Sequence, residues 1–279
     1  MPILVSTHLF VNQRLHTALF DRMLQAGADG FEIFCARQSF DYTRPGEMES
    51  LAAWFRHNPG RLHSLHAPMY SDDCWGRSGA PALNLAATDQ RQALCALEET
   101  ERALTFAELA PFRYMVLHLG IGGEEYSEAK AESACAQLER LRVKAKTLGV
   151  QLLVENIPNG LSTPSRLLQF LKQNHLDSLG ICFDSGHAHL PADRFGGGGA
   201  LETFELLAAR VASTHLHDNH GEKDEHLWPG EGRLPFERLL PQLARRPDLP
   251  WLLEIHDAPA TEATFDRLRQ IIARMRQFQ

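Results

Sequence analysis

The sequence predicts an α/β protein with a single (β/α)8 barrel domain spanning residues 1–279, and three observations predict it. Eight short, apolar, β-rich runs punctuate the chain. Segments with helical periodicity fill the intervals between them, which is the signature of parallel βαβ units. Histidines and acids collect at the carboxyl ends of the runs, the edge on which barrels of this kind build their sites.

In chain order the runs are "ILVSTHLF" (3–10), "GFEIFCA" (30–36), "RLHSLHAPM" (61–69), "YMVLHLG" (114–120), "QLLVENI" (151–157), "LGICFDSGH" (179–187), "VASTHLHDN" (211–219) and "WLLEIHD" (251–257). Between them "LHTALFDRMLQAGA", "TDQRQALCALEETERALTFAELA" and "EAKAESACAQLERLRVKAKTLG" carry helical periodicity. Pro164 after Thr163, and Pro235 after Leu234, mark helix starts, whereas Gly27 and Gly149 stand where helices should stop. Eight units in 279 residues favour a closed barrel over an open doubly wound sheet. The glycine run from Phe195 to Gly199 lacks GxGxxG spacing and does not follow a strand directly, so it is expected to be a connector or lid rather than a phosphate loop.

With 44% hydrophobic residues the chain can bury a large core, and a net charge of −7 gives no polycationic footprint for nucleic acid or anionic membranes. Cys35, Cys74, Cys95, Cys135 and Cys182 are odd in number and never form a CxxC, so neither a disulfide framework nor a thiolate zinc site is expected. No basic leader precedes the first apolar run, and no run approaches the roughly 18 apolar residues of a membrane span. The expectation is a cytoplasmic protein without membrane contact.

His66, His118, Glu155, Asp184, His187, His215 and Glu254 fall at the ends of strands three to eight. Side chains alternate with period two, so Glu155 shares a face with Leu153, His118 with Val116 and Glu254 with Leu252. Taken singly, a strand-end histidine is more often a hydrogen-bonded core residue and a glutamate more often a surface ion pair. Seven together need a partner, because unpaired inward carboxylates carry a heavy desolvation penalty and a divalent cation is the usual offset. Imidazole with carboxylate and no thiolate suits zinc or manganese. The stretch "THLHDNHGEKDEHLWPGEG" adds four imidazoles and four carboxylates within twelve residues, far more histidine than a solvated loop needs. His63, by odd spacing, and His16, His57 and His175 are read as structural. His8, His189, His217 and His256 lie near the same rim, where a supporting or substrate role is balanced against none.

At these residues the chain resembles the xylose isomerase-like TIM barrels, a superfamily that includes sugar phosphate isomerases and epimerases and endonuclease IV. "LHAPMY", "LHLG", "LVENIP", "CFDSGHAH", "THLHDN", "DEHLWPGEG" and "LLEIH" carry the resemblance from the first strand to the last. The epimerase branch implies one metal held by Glu155, Asp184, His215 and Glu254. The endonuclease pattern implies up to three zinc ions: His66 and His118 with Glu155 at the first, Glu155 bridging to Asp184, His215 and Glu254 at the second, and His187, Asp224 and His226 at the third.

Two functions follow from the resemblance. The preferred one is a metal-dependent isomerase or epimerase of a sugar, sugar phosphate or related polyol, working through a metal-stabilised enediolate. Glu155 and Glu254 would move the proton and His187 would polarise a substrate oxygen. Its cofactor is zinc or manganese, one to three ions per chain, and its partner a small carbohydrate, with a homo-oligomer left open. The alternative is an apurinic/apyrimidinic endonuclease, for which "FCARQSF" would be the Arg- and Gln-bearing loop that enters the minor groove, with Tyr70 after "HAPM" also in its favour. Against it stand "HLG" in place of histidine-proline-glycine, His217 in place of asparagine, and Asp72 and Asp73 in a loop facing phosphate. A barrel that binds metal without turnover is the third reading, which the pair Glu155 and Glu254 argues against. Arg233 and Trp228, with His217, are the candidate substrate contacts, although a surface arginine and a packed tryptophan fit as well.

Overall fold

The computed structural model describes residues 1–71, 81–191, 198–256 and 258–279. Eight parallel strands lie in the order β7-β6-β5-β4-β3-β2-β1-β8. They are β1 (Ile3–Ser6), β2 (Gly30–Phe34), β3 (Leu62–His66), β4 (Tyr114–Leu117), β5 (Gln151–Glu155), β6 (Gly180–Asp184), β7 (Val211–His215) and β8 (Trp251–Leu253). A parallel bridge between Leu216 and Leu253 brings the two ends together. The result is a nearly closed TIM barrel in one domain.

Helices follow the strands as expected: α1 (Thr17–Gln25), α2 (Pro45–His57), α3 (Gln90–Leu104), α4 (Glu128–Thr147) and α5 (Pro164–Gln173). After β6 come a single turn, α6 (Ser185–His189), and α7 (Ala200–Leu207); α8 (Phe236–Leu243) and α9 (Glu262–Arg276) complete the ring. Pro164 opens α5 and Pro235 is the residue before α8, while Gly27 and Gly149 sit just past α1 and α4 at φ +104° and +72°, a turn of the backbone that a side chain would strain. No helix among the described residues is long and apolar enough to cross a membrane.

The period of two divides each strand. Met115, Leu117, Val154, Ile181 and Phe183 belong to the main core under the helices, whereas Tyr114, Val116, Leu153 and Cys182 form a separate apolar plug. The functional residues share the second set of positions and stand above that plug.

Every strand ends earlier than its apolar run. The ladder stops at Ser6, His66, Glu155, Asp184 and His215, for example, and not at residues 10, 69, 157, 187 and 219. The polar residues themselves end it. Ser6 accepts from the His8 amide and caps a 3-10 turn, and the Asp184 carboxylate accepts from the His187 amide at 2.6 Å to start α6. His187 therefore lies on a helical turn rather than on strand six. Asp72, Asp73, Cys74, Asp257 and the segment Phe195 to Gly197 lie outside the described residues.

Candidate metal centre

Among the described residues the strand ends bring candidate donor atoms within 4.8 Å of one another in four groups, one of which, Glu155, Cys182 and His215, overlaps the others and adds a buried thiol. Of the rest, His66, His118 and Glu155 form one; Glu155, Asp184, His215 and Glu254 a second; His187, His217, Asp224 and His226 a third. Glu155 is common to the first two. His215 Nδ1 stands 3.2 Å from Glu155 and 3.3 Å from Glu254, and His118 Nε2 is 3.3 Å from Glu155.

Four imidazoles are fixed by their outer nitrogens. Nδ1 of His66 meets the Ala67 carbonyl at 2.8 Å, Nδ1 of His187 the Asn156 carbonyl at 3.0 Å, and Nδ1 of His226 the Glu254 carbonyl at 2.9 Å. For His215 the roles reverse, with Nε2 against the Glu32 carboxylate at 3.2 Å. A ring that donates to a carbonyl or carboxylate on one side turns the lone pair of its other nitrogen inward, the arrangement that supports metal-binding histidines. Asn156 holds the neighbouring strand in place: its amide donates to the Asp184 carbonyl and accepts from the Asp184 amide, both at 2.9 Å.

Burial dominates the electrostatics, and the mixture of charges decides its outcome. Burial by itself would raise Glu155, Asp184 and Asp224, yet the surrounding imidazoles hold all three below their ordinary values, Glu155 and Asp224 well below. Glu254 goes the other way, raised by burial despite His215 and His226. Burial would lower the imidazoles, but Asp184 and Asp224 raise His187, Cys182 and the carboxylates raise His215, and Asp224 with Glu254 brings His226 to about 9. His118 is lowered by burial. Without a cation, protons on imidazole take over part of the charge balance.

A cavity of about 180 Å³ opens above these groups, lined by His8, Phe34, Met69, His118, Glu254 and His256 among others. A second, of about 390 Å³, shares His66, His118 and Met69 and runs outward along the loops after β3 and β4.

The other expected residues fall in different places. His217 is fully buried with Nε2 3.0 Å from Asp184, so it sits within the donor groups and not at a substrate-facing wall. His187 lines the first cavity, with Nδ1 against the Asn156 carbonyl at 3.0 Å and Nε2 against Asp224 at 3.0 Å. Trp228 packs into the core under the Arg267 guanidinium, and Arg233 is exposed; neither lines either cavity. Arg37, expected to face DNA under the nuclease reading, turns back onto α3, where it pairs with buried Glu99, itself bonded to the Tyr42 hydroxyl at 2.8 Å. Gln38 likewise donates to the Val11 carbonyl at 2.8 Å. His8 and His256 do reach the cavity. Glu32, which no sequence criterion singled out, is fully buried and accepts from Ser64 at 2.8 Å as well as holding His215.

The residues fit a divalent cation. Both Glu155 oxygens, Oε1 of Glu254 and Nδ1 of His215 are buried without a hydrogen-bond partner, although they converge. Leaving several such groups unmatched would cost several kcal/mol each.

Comparison with known proteins agrees with the fold. An uncharacterised protein of Methanocaldococcus jannaschii is 28% identical over 250 residues, covering 86% of this chain and 78% of its own. A D-tagatose 3-epimerase-like protein superposes with a TM-score of 0.75 at 24% identity, over 99% of this chain and 97% of that one. A Thermus thermophilus protein soaked with zinc chloride superposes at 0.71 and 23% identity, over 98% and 99%. The profile of one family, the xylose isomerase-like TIM barrels, runs through residues 20–276. It covers all but the first 19 and the last three residues, and the chain belongs to that family.

Proposed function

We propose that the protein is a metal-dependent isomerase or epimerase acting on a sugar, sugar phosphate or related polyol derivative. One observation carries the proposal: two buried carboxylates, Glu155 on β5 and Glu254 just past β8, approach the same His215 nitrogen at 3.2 and 3.3 Å and both line the cavity. Glu155, Asp184, His215 and Glu254 would hold the cation, with His66 and His118 on the Glu155 side, and the donor types suit zinc or manganese. Such a cation, when bound, polarises a carbonyl and its neighbouring hydroxyl and acidifies the hydrogen between them.

The rest falls to the chain. Glu155 and Glu254 reach the cavity from strands three places apart in the barrel. A carbon held between them loses its proton to one carboxylate and regains one from the other on the opposite face, which inverts its configuration. Burial raises Glu254 while imidazoles depress Glu155, so the pair is already divided into a readier proton donor and a readier acceptor. Phe34 and Met69 give the cavity an apolar wall that limits water around the reacting carbon. The D-tagatose 3-epimerase-like neighbour supports this choice of substrate class.

The test is deuterium exchange, followed by NMR, at the carbon beside the carbonyl in a panel of ketoses and their phosphates. Zinc- or manganese-loaded protein should catalyse exchange and Glu254→Gln should abolish it; full exchange by the variant would remove Glu254 from the proposal. The hydrolase alternative draws on the third donor group. Incision of a duplex with one abasic site, present in the native protein, lost in the variant and unaccompanied by exchange, would replace the isomerase reading.

A further inference from the structure

The larger cavity, about 390 Å³, is continuous with the smaller one above the carboxylates, since His66, His118 and Met69 line both. We propose that it receives an uncharged, largely apolar substituent carried by the sugar. On the isomerase reading, on which this rests, the substrate is then a keto sugar in alkyl or aryl glycoside form, and neither a free ketose nor a sugar phosphate.

The smaller cavity, about 180 Å³, falls below the roughly 300–1,000 Å³ of pockets that enclose drug-sized ligands, whereas the larger one lies within that range. A sugar ring held between Glu155 and Glu254 leaves the larger space to whatever the ring carries.

The wall of that space sets the chemistry of its occupant. Pro68, Met69, Leu83, Leu85, Ala96 and Ile121 make it apolar. Besides the two strand-end histidines, Tyr70 and Thr100 are the polar side chains among its described lining residues, and the Thr100 hydroxyl donates to the Ala96 carbonyl at 2.8 Å within α3.

A phosphate is recognised by cationic side chains or by unengaged backbone amides. Among the described residues no lysine or arginine lines the cavity. Arg37, from the loop after β2, is held by Glu99, and Lys130 on α4 by Glu124 at 3.3 Å. The sequence joining Tyr70 to Ala82 sets Asp72 and Asp73 against Arg77 and adds no net positive charge. The loop after β4 has its amides engaged: that of Ile121 donates to Glu124 at 2.9 Å, and that of Gly123 to the Pro158 carbonyl at 2.8 Å. The Glu124 carboxylate at this lip would repel a phosphate.

The same lip offers a way to fill the cavity. A Cβ on Gly122 would meet nothing within 4 Å, so a side chain at that lining position enters open space without displacing the protein.

Isothermal titration calorimetry on zinc-loaded full-length protein tests the proposal with four probes: a free ketose, its phosphate, and a methyl and a phenyl keto-glycoside. The phenyl compound should bind about 10- to 100-fold more tightly than the methyl one, through burial of its ring, and the phosphate no more tightly than its parent ketose. Gly122→Phe should reduce the phenyl advantage several-fold by taking up the space, and Ile121→Asp, at a 40% exposed position, by placing a charge in the wall. Equal binding of the phenyl and methyl compounds, or a phosphate bound more tightly than its parent ketose, would overturn the proposal. So would a phenyl advantage that survives both substitutions. Deuterium exchange on the same four probes judges the isomerase reading separately: tight binding of the phenyl compound with exchange on none of them would remove that reading and leave the preference of the cavity standing.

Discussion

At the residue scale, position within a strand determined what was legible. His66, His118, Glu155, Asp184, His215 and Glu254 stood out because each is polar, ends an apolar run and shares a face with inward apolar neighbours. Glu32 is as anomalous in "GFEIF", but it lies mid-strand, short of the carboxyl end where barrels build their sites. Its partner His215 comes from 183 residues away, a contact no local pattern reveals. His217 did leave a signal, since its spacing of two from His215 puts both on one side of the chain. Glu32 holds the His215 ring, so with the proposed cation at Nδ1, Glu32→Gln should weaken zinc binding by about 10- to 100-fold in competition with a chromophoric chelator. Native affinity in that variant would mean that Ser64 and packing alone orient the ring. Gly186→Ala should destabilise the protein by about 1–3 kcal/mol, because the new methyl and the His217 ring claim the same volume. An unchanged melting temperature would show that the ring moves freely and is not packed as described.

At the element scale, periodicity identified strands and helices but not where the strands stop. Apolarity continues past the ladder because loops on this face are buried too: Leu119, Ile157, Leu216 and Ile255 are all within a few per cent of complete burial. What ends the strands is side chain to backbone bonding, which hydropathy does not register. The loop after β7 shows how far this goes. The buried Asp218 carboxylate accepts amides from Asn219, Gly230 and Leu234 at 2.8, 2.9 and 2.9 Å, fixing both ends of the segment that carries Asp224 and His226. Asp218→Ala should lower stability by about 1–3 kcal/mol, because the released amides are left without acceptors. Thermal melting measures that loss, and a variant as stable as the native chain would mean the amides find other partners.

At the scale of the whole molecule, counting was enough to predict the barrel: eight alternations in a chain of this length leave few other closed arrangements. Charge was less informative. A net value of −7 hides a core of carboxylates and raised imidazoles in mutual balance. Imidazole must be neutral to bind a cation, so loading at the proposed site should release protons at pH 7, and affinity should climb as pH rises above the ordinary imidazole range because His215 is raised there. The metal-free protein should show the opposite trend. A histidine raised on folding stabilises fully below its unfolded value and ceases to do so as pH passes its folded value, so the metal-free melting temperature should fall between about pH 6.5 and 9. Calorimetry in buffers of different ionisation enthalpy counts the released protons; a count of zero would show that the rings are already neutral.

The junction between β7 and β8 has a consequence of its own. The ladder there is short: Leu216 donates to the Leu252 carbonyl at 2.7 Å and accepts from Glu254 at 3.2 Å, while the Thr214 hydroxyl substitutes for backbone, donating to Pro250 at 2.9 Å and accepting from Leu252 at 3.2 Å. A cylinder opens where its staves are least joined, and His215 and Glu254 face each other across that slit. Whatever binds both spans the join, so the amides of Leu252 and Glu254 should exchange with solvent faster than those of β4 and β5 and slow selectively when the cation is added. The barrel's last hoop would then be its ligand, and holding the cylinder shut and preparing it for chemistry would be one event.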